Sequence, residues 1–474
     1  MTLPCSRHWT NRADVRQHST RQSCWLIISN VVYDVTDFVD LHPGGSSIIM
    51  KYAGRDATKA YESIHPADTL AKHLTSRQNL GPIAAEASSS VHRPPKPGNR
   101  ELKAVKAAVP KQKMVKLSLI INIADFESAA SRKLPPGSFA FFKSGADDED
   151  AVNWNRDSWR AIRFRPRVLR PAEKIDTSCT ILGTRFAAPF FICPAGGGKL
   201  AHPEGDVLLT RAAGRHDILH WVCNNSSCTQ QAMAEARLPN QTTYWQIYAM
   251  ADLVVTEREI KRAIELGYRG FALTVDAIRA GKRERDLRTR LSEAEEIEEG
   301  RGEEESEGFA KEPAVTRPPV WSSFDWVSAV GWLRRLTDLP IAIKGIQCWE
   351  DAALCMHYGV HPWISNHGGR QLDGAPSSAE TLIEIRKHCP EVLDKCEVIV
   401  DGGIYRGSEI VKAIALGAKG VGLGRAFLYS LVFGEAGVSK AIRILNHELE
   451  TTMALLGVTS LDQLNSSYVR VVPA

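Results

Sequence analysis

The chain has 474 residues, of which 43% are hydrophobic and 24% are charged. This length predicts at least two domains, and the composition excludes a mostly disordered or collagen-like chain. A formal net charge of +4 gives no reason to expect nucleic acid as the main partner, and no apolar run reaches the roughly 18–20 residues that cross a bilayer.

A small first domain is predicted at residues 1–81. Its predicted elements are two short strands, at residues 24–28 and 31–35, and three helices; the first helix opens at residues 37–38 and stops at the turn of residues 42–45, and the others cover residues 47–52 and 69–74. Residues 82–113 are rich in proline, serine and alanine and show no periodicity. That composition predicts an extended, mobile linker between the first domain and the rest of the chain.

From residue 114 to residue 474 the pattern alternates strands and helices. Eight short apolar strands are predicted, at residues 190–193, 219–222, 243–247, 270–275, 340–344, 363–365, 398–400 and 420–423. Helices between such strands favour a (β/α)₈ TIM barrel of the α/β class, and a doubly wound open sheet is the alternative. The missing GxGxxG turn counts against that alternative. Residues 292–319 are an insertion rich in glutamate, which we expect to be a mobile loop; a docking or lid element is the other interpretation.

Two histidines of the first domain form a candidate metal site. His42 stands in a His-Pro-Gly-Gly turn, and His65 follows a predicted helix pair. Two imidazoles that face each other can take both axial positions of a haem iron, which suits electron transfer; the alternative is that both are ordinary surface residues. The surrounding blocks resemble a cytochrome b5 domain, at residues 23–25, 32–38, 42–45, 52–58 and 64–65. By that resemblance, His42 and His65 bind the iron of haem b.

Polar residues follow several predicted barrel strands. Side chains at the carboxyl ends of barrel strands point into the active-site mouth. His367 suits a general base near neutral pH, Arg370 offers a planar fork for a carboxylate, and Asp276 can hold the imidazole in one tautomer. Lys344 adds a fixed cation to the mouth. Glycine N–H groups and an arginine after the last two strands suit a phosphate, at Asp401, Gly402, Gly403, Gly424 and Arg425.

These strand-end residues predict a phosphate-bearing redox cofactor that acts on a small carboxylate. The segments that carry them resemble the FMN-dependent 2-hydroxy acid dehydrogenases and oxidases, at residues 246–248, 274–277, 281–284, 343–345, 365–373, 401–403 and 422–425. With the haem domain in front, the chain is similar to the flavocytochrome b2 enzymes. The resemblance implies oxidation of a 2-hydroxy acid to a 2-oxo acid, with electrons passing from FMN to haem b and on to a cytochrome c-like acceptor.

The same resemblance assigns roles to individual residues. His367 is the implied base and Asp276 its partner, while Arg370 binds the substrate carboxylate. Tyr248 is implied to contact the substrate hydroxyl, and Arg283 lies near the substrate. Lys344 is placed at the N1/O2 edge of the flavin. The other implied cofactor contacts are Ala195, Gly196, Gln246, Thr274, Ser365 and Asp401. The implied phosphate contacts are Gly402, Gly403, Gly424 and Arg425.

Five positions depart from the family pattern. Phe141 replaces a tyrosine whose hydroxyl touches the substrate carboxylate, and Asn225 replaces an apolar residue over the substrate. Residues 193–198 replace a bulkier segment with a glycine-rich one, Tyr405 replaces a phosphate-binding arginine, and Pro362 precedes a central strand, where proline is disfavoured. We therefore expect a larger or more polar substrate than lactate, or slower electron transfer to the haem.

Two alternative functions stay open. One is a 2-hydroxy acid oxidase that uses O₂, and the other is a non-catalytic haem-binding protein with a decayed barrel. We expect a homo-oligomer, a tetramer by analogy, without nucleic-acid or membrane partners. Ten cysteines without a CxxC pair favour a reducing compartment, so we expect a cytoplasmic protein; the mitochondrial intermembrane space is the alternative.

Overall fold

The computed structural model describes residues 11–42, 46–62, 64–66, 68–83, 115–299 and 323–472. They form a small N-terminal domain that ends at Ile83 and a barrel domain that starts at Val115. Residues 82 and 83, predicted as linker, belong to the first domain, because Pro82 pairs with Val31 and the N–H of Ile83 donates to the carbonyl of Asn30. Residues 84–113 of the predicted linker lie outside the described residues.

The N-terminal domain is a mixed sheet flanked by short helices. Its strands are β1 (Ser19–Thr20), β2 (Ser23–Ile28), β3 (Val31–Asp34), β4 (Arg55–Asp56) and β5 (Asn79–Pro82). Its helices are α1 (Arg12–Gln17), α2 (Ser46–Lys51), α3 (Thr58–Glu62) and α4 (Thr69–His73). The predicted hairpin is confirmed: β2 and β3 are antiparallel, and Ser29 and Asn30 both have positive φ, as a tight two-residue turn requires.

Three helices and a hairpin precede the barrel. They are α5 (Ile123–Lys133), α6 (Pro136–Lys143), α7 (Asp150–Ala161), the short strand β6 (Ile162–Phe164), and the hairpin strands β7 (Cys179–Ile181) and β8 (Thr184–Phe186). The hairpin closes one end of the barrel, since Ile181 and Phe186 pack with the interior residue Trp221. The hydroxyl of Tyr244, also interior, donates to the carbonyl of Ile181 at 2.9 Å.

Eight parallel strands close into a barrel in the described part of the chain. They are β9 (Phe190–Ile192), β10 (His220–Cys223), β11 (Thr243–Ile247), β12 (Phe271–Thr274), β13 (Ile341–Ile346), β14 (His361–Ile364), β15 (Ile399–Asp401) and β16 (Gly420–Leu423). The last strand, β16, pairs with the first, β9, so the predicted barrel is confirmed and the open sheet is excluded.

Helices surround this barrel. They are α8 (Val207–Arg215), α9 (Gln230–Glu235), α10 (Leu253–Glu265), α11 (Glu284–Glu299), α12 (Trp326–Arg334), α13 (Trp349–His357), α14 (Ser378–His388), α15 (Glu391–Lys395), α16 (Gly407–Ala415), α17 (Arg425–Ser430) and α18 (Gly434–Leu456). A final strand, β17 (Val469–Val471), pairs with β6. None of the described helices is long and apolar enough to span a membrane.

Strand β14 differs from its prediction. It begins at His361, two positions earlier than expected, and includes Pro362, which is buried and lies opposite Ile343 of β13. Proline lacks the N–H of a ladder donor but is tolerated near the start of a strand. Pro362 therefore does not interrupt the barrel, which removes one reason to regard the barrel as decayed.

The acidic insertion also differs in part. Residues up to Glu299 belong to α11, so the predicted loop is wrong for residues 292–299; residues 300–319 lie outside the described residues. Ion pairs four residues apart support the helix: Arg290 pairs with Asp286 at 2.8 Å, and Arg288 pairs with Glu284. Such pairs stabilise a helix because the side chains lie on one face.

Candidate functional site

The predicted strand-end residues meet at one end of the barrel. They line a cavity of about 1470 Å³. The predicted residues on its wall are Ala195, Gly196, Tyr248, Arg283, Lys344, His367, Arg370, Asp401, Gly402, Gly403, Gly424 and Arg425. The cavity extends to the N-terminal domain, where His42 and His65 also line it. The structure therefore brings all of these residues around one space, although they come from distant parts of the sequence.

His367 is held by three partners. Its Nδ1 lies 2.8 Å from Oδ1 of Asp276, whose side chain is 1% exposed. Its main-chain N–H donates to Oγ of Ser365, and its φ is +58°, a left-handed conformation. Its Nε2 lies 3.4 Å from the hydroxyl of Tyr248. When Nδ1 carries the proton that Asp276 accepts, Nε2 is the basic nitrogen on the Tyr248 side.

A buried cation lies between two buried carboxylates. Nζ of Lys344 is 3.7 Å from Oδ2 of Asp276 and 3.9 Å from Oδ2 of Asp401. Burial alone disfavours the ammonium, but these carboxylates raise the pKa of Lys344 above its ordinary value. Burial raises the pKa of Asp401, and Lys344 and Ser365 only partly oppose that rise. The two carboxylates therefore favour the charged form of Lys344 in the wall of the cavity.

Ser365 and Trp363 connect these charges. Ser365 Oγ accepts from Lys344 at 3.0 Å and donates to Asp401 at 2.7 Å, and the indole N–H of Trp363 donates to Asp401 at 2.9 Å. Sequence reasoning missed the role of Trp363. The only signal was a tryptophan two positions before Ser365 in a barrel strand, where side chains alternate between the interior and the helices.

Gln246 offers an unused acceptor. Its Nε2 donates to the hydroxyl of Thr274 at 2.9 Å, which fixes the orientation of the amide. Its Oε1 is buried and has no hydrogen-bond partner among the described residues. A buried carbonyl oxygen without a donor is costly, so this position suits a ligand that donates a hydrogen bond.

Two arginines also line the cavity. Nη1 of Arg370 donates to the main-chain carbonyls of Phe141 at 2.9 Å and of Ser144 at 2.8 Å, and Arg370 lines the cavity close to the ring of Phe141. Arg283 also lines the cavity and is 9% exposed. Two guanidinium groups that line the same cavity as the imidazole of His367 suit a small carboxylate.

Helix α7 supports the glycines predicted to hold phosphate. Gly402 and Gly403 have φ of +103° and +75°, and a Cβ on Gly403 would lie 2.0 Å from the main-chain oxygen of Asn155. Only glycine fits this approach. The indole N–H of Trp159 donates to the carbonyl of Gly402, and the amide of Asn155 donates to Asn366 in the His367 loop. Sequence reasoning missed this helix; its signal was a polar residue and a tryptophan four positions apart on one buried face.

Arg425 contacts the same loops from the other side. Its guanidinium donates to the main-chain carbonyls of Phe142, Ser144 and Gly368 at 2.9–3.0 Å. Tyr405 lines the cavity near these residues and is 9% exposed. Arg425, Gly402, Gly403 and Gly424 thus line the same cavity, and their role in binding a phosphate stays a prediction.

The two predicted metal ligands lie together in the N-terminal domain. The ring centroids of His42 and His65 are 5.7 Å apart. Burial lowers the pKa of His65 to about 4, with smaller contributions from His42 and His73. Residues 43–45 of the predicted turn lie outside the described residues. The surrounding wall is apolar, with Leu26, Ile28, Val35, Phe38, Ile49, Leu70 and Leu74.

The residues present fit both implied cofactors. A neutral imidazole is the form that binds iron, so two neighbouring histidines, with the pKa of His65 lowered by burial, suit a haem in this largely apolar pocket. The unpartnered Gln246 oxygen, the buried Lys344 cation and the glycine loops suit a polar ring that carries a phosphate. The glycine loops, Lys344 and both histidines line the same cavity.

Comparisons with protein families agree with this arrangement. Residues 130–471 match the model of the FMN-dependent dehydrogenases, and residues 11–84 match the cytochrome b5-like haem/steroid-binding domain. The L-lactate dehydrogenase (cytochrome) of Wickerhamomyces anomalus is 37% identical over 456 residues, which cover 95% of this chain and 78% of the relative. A peroxisomal (S)-2-hydroxyacid oxidase of Arabidopsis thaliana is 38% identical over 74% of this chain and 96% of its own.

Solved structures give the same result. A doubly substituted flavocytochrome b2 with pyruvate bound superimposes with a TM-score of 0.69 at 35% identity, over 75% of this chain and 88% of that one. A soluble mutant of the (S)-mandelate dehydrogenase from Pseudomonas putida superimposes with a TM-score of 0.65 at 31% identity, over 74% of this chain and 99% of its own.

Proposed function

The chain belongs to the FMN-dependent dehydrogenase family and carries a cytochrome b5-like domain, and we propose that His367 and Arg370 are its substrate-handling residues. The enzyme oxidises a 2-hydroxy acid to a 2-oxo acid. FMN would supply the two-electron redox chemistry when bound, and a haem b held by His42 and His65 would supply one-electron chemistry.

The contact between His367 and Asp276 carries the proposal. Arg370 and Arg283 hold the substrate carboxylate, and Tyr248 hydrogen-bonds the hydroxyl. His367 then accepts a proton from the substrate at Nε2, and the buried carboxylate of Asp276 stabilises the imidazolium that forms. Lys344 would provide positive charge beside the cofactor ring, and Gln246, Thr274 and Ser365, which hydrogen-bond to each other or to Lys344, would hold the ring or its side chain.

The substrate proposed here is larger or more polar than lactate. Gly196 and Asn225 both line the cavity, and a Cβ on Gly196 would lie 2.3 Å from the main-chain oxygen of Asn225. The ring of Phe141 faces the same glycine segment and offers no hydroxyl. The main chain of Asn225 occupies the space beside Gly196, and the carboxamide of Asn225 offers a substrate side chain a hydrogen bond. The similarity to an (S)-mandelate dehydrogenase supports a bulky side chain.

A substrate panel tests this proposal. Reduction of the bound cofactor is followed by stopped flow with lactate, with longer aliphatic 2-hydroxy acids and with aromatic ones. We expect higher kcat/KM for the larger substrates, and Asn225→Leu should shift the preference toward apolar ones. Gln231→Leu, on the rim of the same cavity, is the control. Fast turnover on L-lactate with no gain for larger acids would contradict the proposed substrate class.

The paired histidines favour electron transfer through the haem over direct reaction with O₂. A cytochrome c-like protein is the proposed acceptor, as the names of the relatives suggest. Substrate-dependent haem reduction in the visible spectrum is the expected result. Peroxide release without haem reduction would favour an oxidase, and haem without flavin would favour a non-catalytic haem protein.

The assembly and location are also proposals. By analogy with the family we propose a homo-tetramer, which sedimentation of the holoenzyme tests. The sparse cysteines support a cytoplasmic location, and fractionation of cells tests it against the mitochondrial intermembrane space.

A further inference from the structure

The phosphate end of the cavity has a tyrosine where the family pattern has a cation. Tyr405 follows Gly403 by two positions, and both line the cavity. The neighbouring Arg406 does not replace the missing charge. Its Nη1 donates to Glu448 at 2.7 Å and its side chain is 47% exposed, so it points to the surface. The loop after β15 thus places a phenol, and no guanidinium, at this end.

A cation reaches Tyr405 from helix α7. Cζ of Arg156 lies 3.8 Å from the centroid of the Tyr405 ring. The contact follows from the close packing of Gly403 on α7, where a Cβ would lie 2.0 Å from Asn155 and 2.9 Å from the main-chain nitrogen of Arg156. A guanidinium over an aromatic ring is attracted by the negative ring face, and more strongly where water is excluded.

The main-chain donors near Tyr405 have other partners. The N–H groups of Tyr405 and Arg406 both donate to Oε2 of Glu409, at 2.6 and 3.1 Å. Arg425 uses three of its five N–H groups on main-chain carbonyls. A phosphate dianion accepts several hydrogen bonds, and the hydroxyl of Tyr405, which lines the cavity, is a further donor beside those of the glycine loops.

Two other groups near Tyr405 bear on the binding of an anion, the carboxylate of Glu127 and the phenol of Tyr429. The carboxylate of Glu127 interacts electrostatically with Tyr405. Glu127 also forms an ion pair with Lys143 at 2.5 Å, which reduces its repulsion of an anion. A second phenol, Tyr429, is fully buried and its hydroxyl has no hydrogen-bond partner among the described residues. Tyr405 and Arg425 both interact electrostatically with Tyr429, so the unsatisfied hydroxyl of Tyr429 lies in the same neighbourhood.

We propose that the hydroxyl of Tyr405 donates a hydrogen bond to the phosphate of FMN, and that Arg156 acts as a positioning residue that supplies positive charge from behind the ring. The inference rests on the proposed FMN function and refines it. A hydrogen bond from a neutral phenol, backed by a cation, takes the place of a direct guanidinium contact.

The test compares FMN with riboflavin, which lacks the phosphate. Deflavinated full-length protein is titrated with each, and the dissociation constant is read from flavin fluorescence. Tyr405→Phe should weaken the binding of FMN about ten- to a hundredfold, which is the range for the loss of a hydrogen bond to a charged group. It should leave the binding of riboflavin unchanged. Arg156→Gln should weaken FMN and reduce the salt dependence of its binding, and Arg156→Lys should restore part of both. Arg160→Gln is the matched control, since Arg160 lies on the same helix and pairs at the surface with Asp157.

Three outcomes decide. FMN binding that survives both Tyr405→Phe and Arg156→Gln, in a chain that binds FMN more tightly than riboflavin, overturns the inference and leaves the proposed function intact. Equal losses of affinity for FMN and riboflavin, with an unchanged melting temperature, also overturn the inference, because they indicate a role at the flavin ring and not at the phosphate. Failure of the unaltered chain to bind either flavin would contradict the proposed function itself.

Discussion

The Nδ1 atom of His367 lies 2.8 Å from Oδ1 of Asp276, although 91 positions separate the two residues in the chain. Asp276 follows β12 and His367 follows β14, and both strands pair with β13, which carries Lys344. Three neighbouring strands therefore deliver the base, its carboxylate and the buried cation to one end of the barrel. This relationship orients Nε2 of His367 toward Tyr248 and gives the most direct prediction.

Replacing His367 should separate cofactor binding from catalysis. His367→Gln removes the proton acceptor but keeps a side chain of similar length, so the protein should still bind flavin. Reduction of that flavin by substrate should slow by about 10²–10⁴-fold, the usual contribution of a general base. Stopped-flow absorbance measures the rate, with the exposed residue His388 replaced by Gln as control. Normal flavin reduction in His367→Gln would remove His367 from this role.

Removing the buried cation should destabilise the barrel. Lys344→Met leaves the carboxylates of Asp276 and Asp401 buried without the ammonium that lies 3.7 and 3.9 Å from them. Breaking a buried ion pair in this way typically costs about 3–5 kcal/mol of unfolding free energy. Urea unfolding of the deflavinated protein measures the loss.

A second substitution checks that electrostatics cause this loss. Asp401→Asn added to Lys344→Met removes one of the unpaired charges and should restore part of the stability. If the double variant is no more stable than Lys344→Met, packing around the lysine stem explains the loss instead.

Loss of a haem ligand should leave flavin binding intact. His65→Ala removes one of the two facing imidazoles, so the protein should lose haem while the barrel still binds flavin and is reduced by substrate. Absorbance of the haem and of the flavin in one spectrum measures both. His73→Ala is the control, because His73 lies on the same cavity but is not one of the facing pair. Full haem content in His65→Ala would contradict the assignment of His65 as a ligand.

A buried histidine makes stability depend on pH. His220 starts β10, is 2% exposed and contacts Thr210, and burial lowers its pKa to about 3. An unfolded histidine has a pKa of about 6.5, so between about pH 6.5 and pH 3 the unfolded chain binds a proton that the native protein does not. The free energy of unfolding therefore keeps its full value above pH 6.5 and falls as the pH is lowered through this window.

His220→Gln should make that dependence shallower. Loss of one differential proton reduces the slope of unfolding free energy against pH by about 1.4 kcal/mol per pH unit in this window. Urea unfolding between pH 4 and 6, followed by tryptophan fluorescence, measures the slope of each protein. Identical slopes would show that His220 is protonated in the native state.

Local sequence signals were sufficient for the architecture. Alternation of apolar strands and helices identified the barrel, and the matched segments placed His367, Asp276, Lys344 and Arg370 at strand ends. They succeeded because strand burial and the direction of strand-end side chains depend on periodicity and connectivity. Proline misled the prediction of β14, since a barrel strand tolerates Pro362 near its start.

The sequence by itself determined the haem-binding and barrel domains and the candidate reactive side chains, because these depend on composition, periodicity and motifs along the chain. Only the tertiary structure decided that Ser365 and Trp363 join Lys344 to Asp401, that α7 supports the phosphate loop, and that Arg156 rather than Arg406 faces Tyr405. These contacts join residues far apart in the chain. Their distances depend on how helices pack against strand ends, which no local pattern encodes.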